Sequence, residues 1–419
     1  MKRGRRHKAF CRLLILRGST AHFLYHRWGK KGAGMEEQWC QELPFSDIYR
    51  HLPTVLPAIS ASLGAPCPTA LYKNPEECRE RLDLPYCSSC LFIFVDGLGY
   101  FNLTENLSYA PFLRSIKSFF HPSPFFSCFP TTTAAAISSM GTGTCPGLTS
   151  IFGYTQINPF TGRISQMISF RDAPDPKEVQ KEPTLFSLLG RRGKKVATVG
   201  EKKFDSSPLT LAALDGSQYF VEKNPMAAAK MAGSLTFDFD LTYFYIPSVD
   251  KAGHKFGCQS EEWKAALEEA DLEIKSAFEA AKKGTLLVVC ADHGMVERRK
   301  SFNFSALPKK LMDGVKLVAG EQRDVMLYLE DGQDPRLKAE EWEKYFGGWA
   351  MTFDKRQAIE RGVFGPLSAE SGAYLGDVIV CFRGEALLDG MGGKDIEMPG
   401  VHGSWTQAEA RIPLIAVVK

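Results

Sequence analysis

The 419-residue chain has no run approaching the ~18 consecutive apolar residues that a membrane-crossing helix needs, so no membrane span is expected. It has no internal repeat and no low-complexity linker, which removes solenoid and array architectures. Acidic residues are missing from positions 1–34, which hold ten Lys or Arg. Taking those ten from the formal +3 of the whole chain leaves the body at −7, so the body offers no general nucleic-acid-binding surface, and no nucleic-acid polymer is expected as a partner. A second close cysteine pair is also missing. Cys87-Ser-Ser-Cys90 has zinc-knuckle spacing, but with only Cys67 and Cys78 nearby the four read first as structural thiols.

What is present is an ordinary globular composition, 44% apolar and 24% charged, long enough for one large α/β unit. Residues 1–34 are expected to be a disordered or over-extended start: their apolar run "AFCRLLIL" is broken by Arg12, no clear cleavage site follows it, and Met35 opens ordinary sequence. Residues 35–419 are expected to form one catalytic domain, with 297–400 holding an inserted cap. The eleven cysteines are odd in number, and several, such as Cys290 and Cys381, sit in apolar runs as small hydrophobes do. That usage suits a reducing, cytoplasmic setting.

Five apolar stretches read as strands buried on both faces, as in a parallel sheet: 90–96, 195–200, 241–247, 285–292 and 412–418. Between the third and fourth, Trp263, Leu267, Ala270, Ile274, Ala277, Phe278 and Ala281 recur at helical spacing, with Lys282, Lys283 and Gly284 as a stop. Strand, helix, strand predicts a crossover and a doubly wound, mostly parallel α/β sheet sandwiched by helices.

Candidate chemistry gathers at the strand ends. Asp96 closes the first strand; Asp250 and His254 follow the third; Asp292 and His293 close the fourth; His402 lies in "PGVHGSW" near the last. Open α/β sheets place ligands beyond the carboxyl ends of their strands. Three Asp and three His mix oxygen and nitrogen donors, which suits zinc better than magnesium or calcium, and six ligands match two ions that each keep an open position. Each residue alone is more often a turn former or a satisfied polar group; their common position raises the set. "FPTTTAAAISSMGTG" puts three hydroxyls before a small-residue helix. Alone it reads as an N-cap, but beside metal ions a hydroxyl at a helix start can ionise and attack phosphorus.

The stretches "FVDGLGY", "FPTTTAAAISSMGTGTCPGLTSIFGY", "SVDKAGH", "ADHG" and "VHGSW" resemble the alkaline phosphatase superfamily, in its type I phosphodiesterase/nucleotide pyrophosphatase branch. The resemblance implies an alkaline-phosphatase-like fold, two zinc ions, and a covalent phospho-enzyme on Thr133, which it selects over Thr131 and Thr132. It implies one zinc held by Asp250, His254 and His402, and another held by Asp96, Asp292 and His293 and touching Thr133. The implied substrate is a small phosphodiester or pyrophosphate; a phosphomonoesterase, a phosphonate hydrolase or a metal-dependent phosphomutase would use the same scaffold. The chain departs from the branch at Ala136 and Tyr154, where asparagines are usual. It has no acidic set for a third, magnesium site and no arginine beside the nucleophile to grip a monoester dianion; both absences lean toward diesters.

Overall fold

The computed structural model describes residue 40 and residues 44–391 and 397–419; the basic segment 1–34 lies outside the described residues. A six-stranded sheet forms the centre. Its order is Leu414–Val418, Leu286–Ala291, Cys90–Val95, Leu241–Ile246, Val196–Gly200, Gln218–Val221. The middle strands are runs of Leu, Val, Ile and Phe, and Cys90–Val95 and Leu286–Ala291 are buried throughout. Such strands can sit only where helices cover both faces. The expected doubly wound α/β sandwich is the fold.

Two details differ from the sequence reading. Leu414–Val418 runs antiparallel to Leu286–Ala291, against the expected parallel direction. The chain reaches this strand from the His402 loop, at the end where its neighbour finishes, so it has to run back down. The sixth strand, Gln218–Val221, gave no apolar run to find because it is a half-exposed edge.

The predicted crossover helix spans Glu261–Ala280. The Ser260 hydroxyl caps it by accepting from the Trp263 amide, and Glu261 and Glu262 sit in its first turn, where the helix dipole favours negative charge. Its buried stripe includes Trp263, Leu267, Ala270, Ile274 and Ala277 as expected; Phe278 is half-buried. Ala281 is the C-cap, and Gly284 takes a left-handed φ of 83° three residues later.

A second six-stranded sheet is antiparallel throughout. Ala350–Asp354, Val378–Phe382, Asp324–Leu329 and Val315–Gly320 come from the 297–400 region, and Thr155–Asn158 and Arg163–Gln166 join from outside it. Helix Pro335–Phe346 closes a separate core of Val325, Leu327, Trp342, Phe346, Val380 and Phe382 on this sheet. Cys67, Cys78, Cys87 and Cys90 are unbridged thiols, and none belongs to a metal-ligating group among the described residues. The Cys67 and Cys78 thiols instead face the carbonyls of Ala65 and Asn74. No helix among the described residues is long and apolar enough to cross a membrane.

Candidate metal centre and nucleophile

Register places the first carboxylates. Val95 pairs with both Ile246 and Ala291, so Asp96 and Asp292 leave neighbouring strands at one level. Asp292 Oδ1 accepts from the Gly97 amide at 2.9 Å, and the Asp250 amide donates to the Asp96 carbonyl at 3.1 Å. Gly97 has φ 71°, and a Cβ there would lie 2.9 Å from Asp250 Cα, so only glycine lets the two segments meet.

All six predicted donors converge. Asp250 Oδ1 is 3.4 Å from His254 Nε2 and 3.8 Å from His402 Nε2, and the two Nε2 atoms are 3.1 Å apart. His293 Nε2 lies 3.3 Å from Asp292 Oδ2 and 3.8 Å from Asp96 Oδ1. The His293 and His402 rings stack with centroids 3.7 Å apart, which brings the two halves together. Asp250 belongs to both metal-type groupings, with His254 and His402 on one side and with Asp96 and His293 on the other.

The three rings share one arrangement. His254 Nδ1 faces the Gly400 carbonyl at 2.9 Å, His402 Nδ1 the Thr131 carbonyl at 2.8 Å, and His293 Nδ1 the Gly294 carbonyl at 3.1 Å. A carbonyl only accepts, so each Nδ1 carries a proton and each ring turns its Nε2 inward. Metal-binding histidines are held in this way. Asp250 Oδ1 and Asp292 Oδ2 are buried with no hydrogen-bond donor. The donor set therefore fits cations such as zinc, on this chain's own stereochemistry.

Burial acts on every member. It raises Asp96 well above the usual carboxylate range, with Asp292 adding repulsion, and lifts Asp250 to about 7, with Asp96 adding repulsion. It also raises Asp292. Burial lowers His293 to about 4 and takes His402 well below its ordinary value, the latter helped by the neighbouring imidazoles. A cation among them would reverse the penalty on the carboxylates.

The three threonines separate. Thr131 Oγ1 donates to the Ser404 carbonyl at 2.7 Å. Thr132 is the N-cap of helix Thr133–Thr142 but makes no side-chain capping bond. Thr133 is the first helical residue, and its Oγ1 lies 3.3 Å from His293 Nε2 and 3.5 Å from Asp96 Oδ1. Ala134, Ala135 and Ala136 are buried, so Ala136 packs in the helix and offers nothing to the site. Tyr154, considered a replacement for an asparagine, is 41% exposed, and its hydroxyl accepts from Gln166 Nε2. It makes no hydrogen bond to Thr133.

Sequence reasoning missed Tyr245, whose hydroxyl donates to Asp96 Oδ2. Its position inside a strand carried no polar signal. Also missed was a cleft opening beside Thr133, enclosing about 530 Å³ with the solvent at its mouth. Ile168, Phe204, Leu214, Tyr219 and Tyr245 line it, and none of its lining residues is charged. The Phe204 and Tyr245 rings pack edge to face at 5.7 Å.

A mostly parallel α/β sheet with this constellation at its carboxyl edge defines an alkaline-phosphatase-like hydrolase of phosphoric esters. The chain belongs to the type I phosphodiesterase/nucleotide pyrophosphatase family, which residues 90–346 match. No curated protein matches it by sequence. Among solved structures, an inactive threonine-to-alanine form of murine ectonucleotide pyrophosphatase/phosphodiesterase 5 in complex with AMP is similar at 14% identity and a TM-score of 0.62, over 78% of this chain and 87% of that one. Phosphonoacetate hydrolase from Sinorhizobium meliloti 1021, in complex with phosphonoacetate, is similar at 18% identity and a TM-score of 0.62, over 79% and 90%.

Proposed function

We propose that the chain is a two-zinc phosphodiesterase that works through a phospho-threonine on Thr133. The observation that carries this reading is the placement of Thr133 Oγ1, at a helix start and within 3.5 Å of both His293 and Asp96 in a nest of inward-turned lone pairs. Asp250, His254 and His402 would hold one zinc; Asp96, Asp292 and His293 would hold the other, next to Thr133. When bound, zinc supplies Lewis acidity, lowering the hydroxyl's pKa and offsetting charge on the phosphoryl oxygens. Thr133 Oγ attacks phosphorus, the bond from phosphorus to the leaving oxygen breaks, and the alcohol departs. Free amides at the start of the nucleophile helix face the charge that develops. The carbonyls of Gly400, Thr131 and Gly294 keep the three imidazoles turned inward, and Tyr245 fixes Asp96. Water then hydrolyses the phospho-threonine and frees the hydroxyl.

The uncharged cleft favours a diester whose substituent is neutral and partly apolar. The loss of activity in the murine threonine-to-alanine neighbour, which binds AMP, supports a threonine role and a nucleotide-sized substrate. Residues 297–400 are read as the cap of a single catalytic domain that runs from residue 35 to residue 419. The odd, mostly buried cysteines support a reducing, cytoplasmic setting. Rates on bis-p-nitrophenyl phosphate and p-nitrophenyl phosphate, measured side by side on zinc-loaded protein, test the reading. A clear diester preference is expected. Faster monoester turnover would turn the assignment to a phosphomonoesterase or phosphomutase. Turnover of phosphonoacetate, the ligand of the Sinorhizobium neighbour, would favour a phosphonate hydrolase.

A further inference from the structure

The hydroxyls that line the cleft beside Thr133 are mostly committed to the protein. Thr198 pairs with Ser217 at 2.8 Å, and Ser207 donates to Thr210 at 3.0 Å. Thr210 donates to the Phe204 carbonyl at 2.7 Å, Tyr219 donates to the Glu201 carbonyl at 3.0 Å, and Tyr245 donates to Asp96. Tyr243 lines the same cleft, but its hydroxyl is buried and has no hydrogen-bond partner among the described residues. The ring is not free to swing toward one. Phe92 and Phe186 meet it edge-on, with centroids 5.6 and 5.8 Å away, and the residue is 1% exposed. A buried donor left unpaired is costly, and a ligand acceptor that pairs with it removes that cost.

Strand register shows how a ligand would meet it. Thr198 pairs with both Tyr219 and Tyr243, so these three side chains stand at one level across the central sheet. Tyr245 lies two residues further along the strand of Tyr243, on the same face, and so about 6.6 Å nearer the edge that carries Asp96. Tyr243 therefore stands one step deeper than the metal-side wall, and a methyl or ethyl ester at phosphorus is too short to reach it. The attacking and leaving oxygens of a phosphoryl transfer lie roughly in line, so the leaving alcohol points away from Thr133. The cleft, whose wall includes Thr133, then takes the ester group that stays on phosphorus.

We propose that Tyr243 is a specificity-determining residue: its hydroxyl donates to an acceptor at the far end of the retained ester group. The substrate class that follows is a diester whose retained group is uncharged, at least ring-sized, and tipped with a carbonyl, ether or ring nitrogen. A plain hydrocarbon group would fill the cleft and leave the donor unpaired, and an anionic group would find no cation among the lining residues. This inference rests on the phosphodiesterase reading.

The test uses the full, zinc-loaded chain and two diesters, benzyl p-nitrophenyl phosphate and 4-acetylbenzyl p-nitrophenyl phosphate. Both release p-nitrophenol, so they differ by one acetyl group at the far end of the retained group. The wild type is expected to favour the acetyl ester by about five- to tenfold in kcat/KM, mainly through KM. Tyr243→Phe keeps the ring packing and removes the hydroxyl. It is expected to bring the ratio close to one by raising KM for the acetyl ester alone. Its Tm should not fall, because the hydroxyl has no partner to lose. Equal rates on the two esters in the wild type, or a preference for the plain benzyl ester, would overturn the proposal. So would a preference that survives in Tyr243→Phe, or an equal loss on both esters with a lowered Tm, which would mark a structural role. A wild-type chain that hydrolyses neither ester would remove the phosphodiesterase reading and this inference with it, whereas turnover of both without discrimination would remove the role of Tyr243 alone.

Discussion

His254 Nε2 and His402 Nε2 face one another at 3.1 Å, while each ring's Nδ1 meets a backbone carbonyl. With both Nδ1 atoms donating to carbonyls, the two Nε2 atoms converge beside the Asp250 carboxyl, which burial lifts to about 7, and a metal ion bound there would displace the proton that Asp250 holds. Zinc uptake is therefore expected to release protons. Calorimetry in two buffers of different ionisation enthalpy measures the number; uptake with no proton release would contradict the arrangement.

The same groups give the metal-free protein a pH signature. Asp250, held near 7 against an ordinary 3.8, binds more protons folded than unfolded, so its contribution is present at low pH and is lost as pH rises through 7. His293, held near 4 against 6.5, acts in the opposite sense, adding stability as pH rises between those values. Above about 6.5 His293 adds nothing further, and Asp96 adds to the loss. The Tm of metal-free protein is expected to fall from pH 6.5 upward and the rise in Tm caused by zinc to grow. Thermal melts with and without zinc check this; a zinc effect independent of pH would count against it.

Thr133→Ala is expected to reduce turnover by at least about a thousandfold, as loss of a covalent nucleophile does. Thr133 is the first helical residue and not the N-cap, and its hydroxyl faces Asp96 and His293, so the change in stability should stay below about 1 kcal/mol, the usual worth of a lost cap. Zinc content should be nearly unchanged, because the six side-chain donors remain. Steady-state rates, melts and metal analysis separate these effects. Wild-type activity in the variant would remove Thr133 as nucleophile.

Tyr245→Phe removes a hydroxyl from the buried Asp96 carboxylate. A hydrogen bond to a charged group is worth about 1.5–3 kcal/mol, so kcat is expected to fall by roughly 10- to 100-fold with KM little changed. A pure KM effect would place Tyr245 in substrate binding alone.

Phe204→Ala opens the wall of the uncharged cleft. It should raise KM for bis-p-nitrophenyl phosphate by about tenfold and hardly touch methyl p-nitrophenyl phosphate, whose small ester group buries little. Equal effects on both diesters would show that the cleft does not hold the substituent.

Much of this was legible because strand ends are. The apolar runs closing on Asp96, on Asp292 and on the short helix that carries Asp250 and His254 announced both the sheet and the edge where the candidate donors gather. An apolar run carries no direction, so the antiparallel course of Leu414–Val418 could not be read. Nor could Gln218–Val221, whose side chains stay half in water. Tyr245 was hidden because a buried strand tyrosine looks like core until its hydroxyl finds a carboxylate.

The most direct measurement is rapid-quench trapping with bis-p-nitrophenyl phosphate on zinc-loaded protein, followed by peptide mass spectrometry. A phosphoryl-ester adduct that forms within the first turnover on Thr133, and is absent in Thr133→Ala, is the predicted result. Turnover with no adduct, or an adduct on another side chain, would contradict the covalent threonine mechanism.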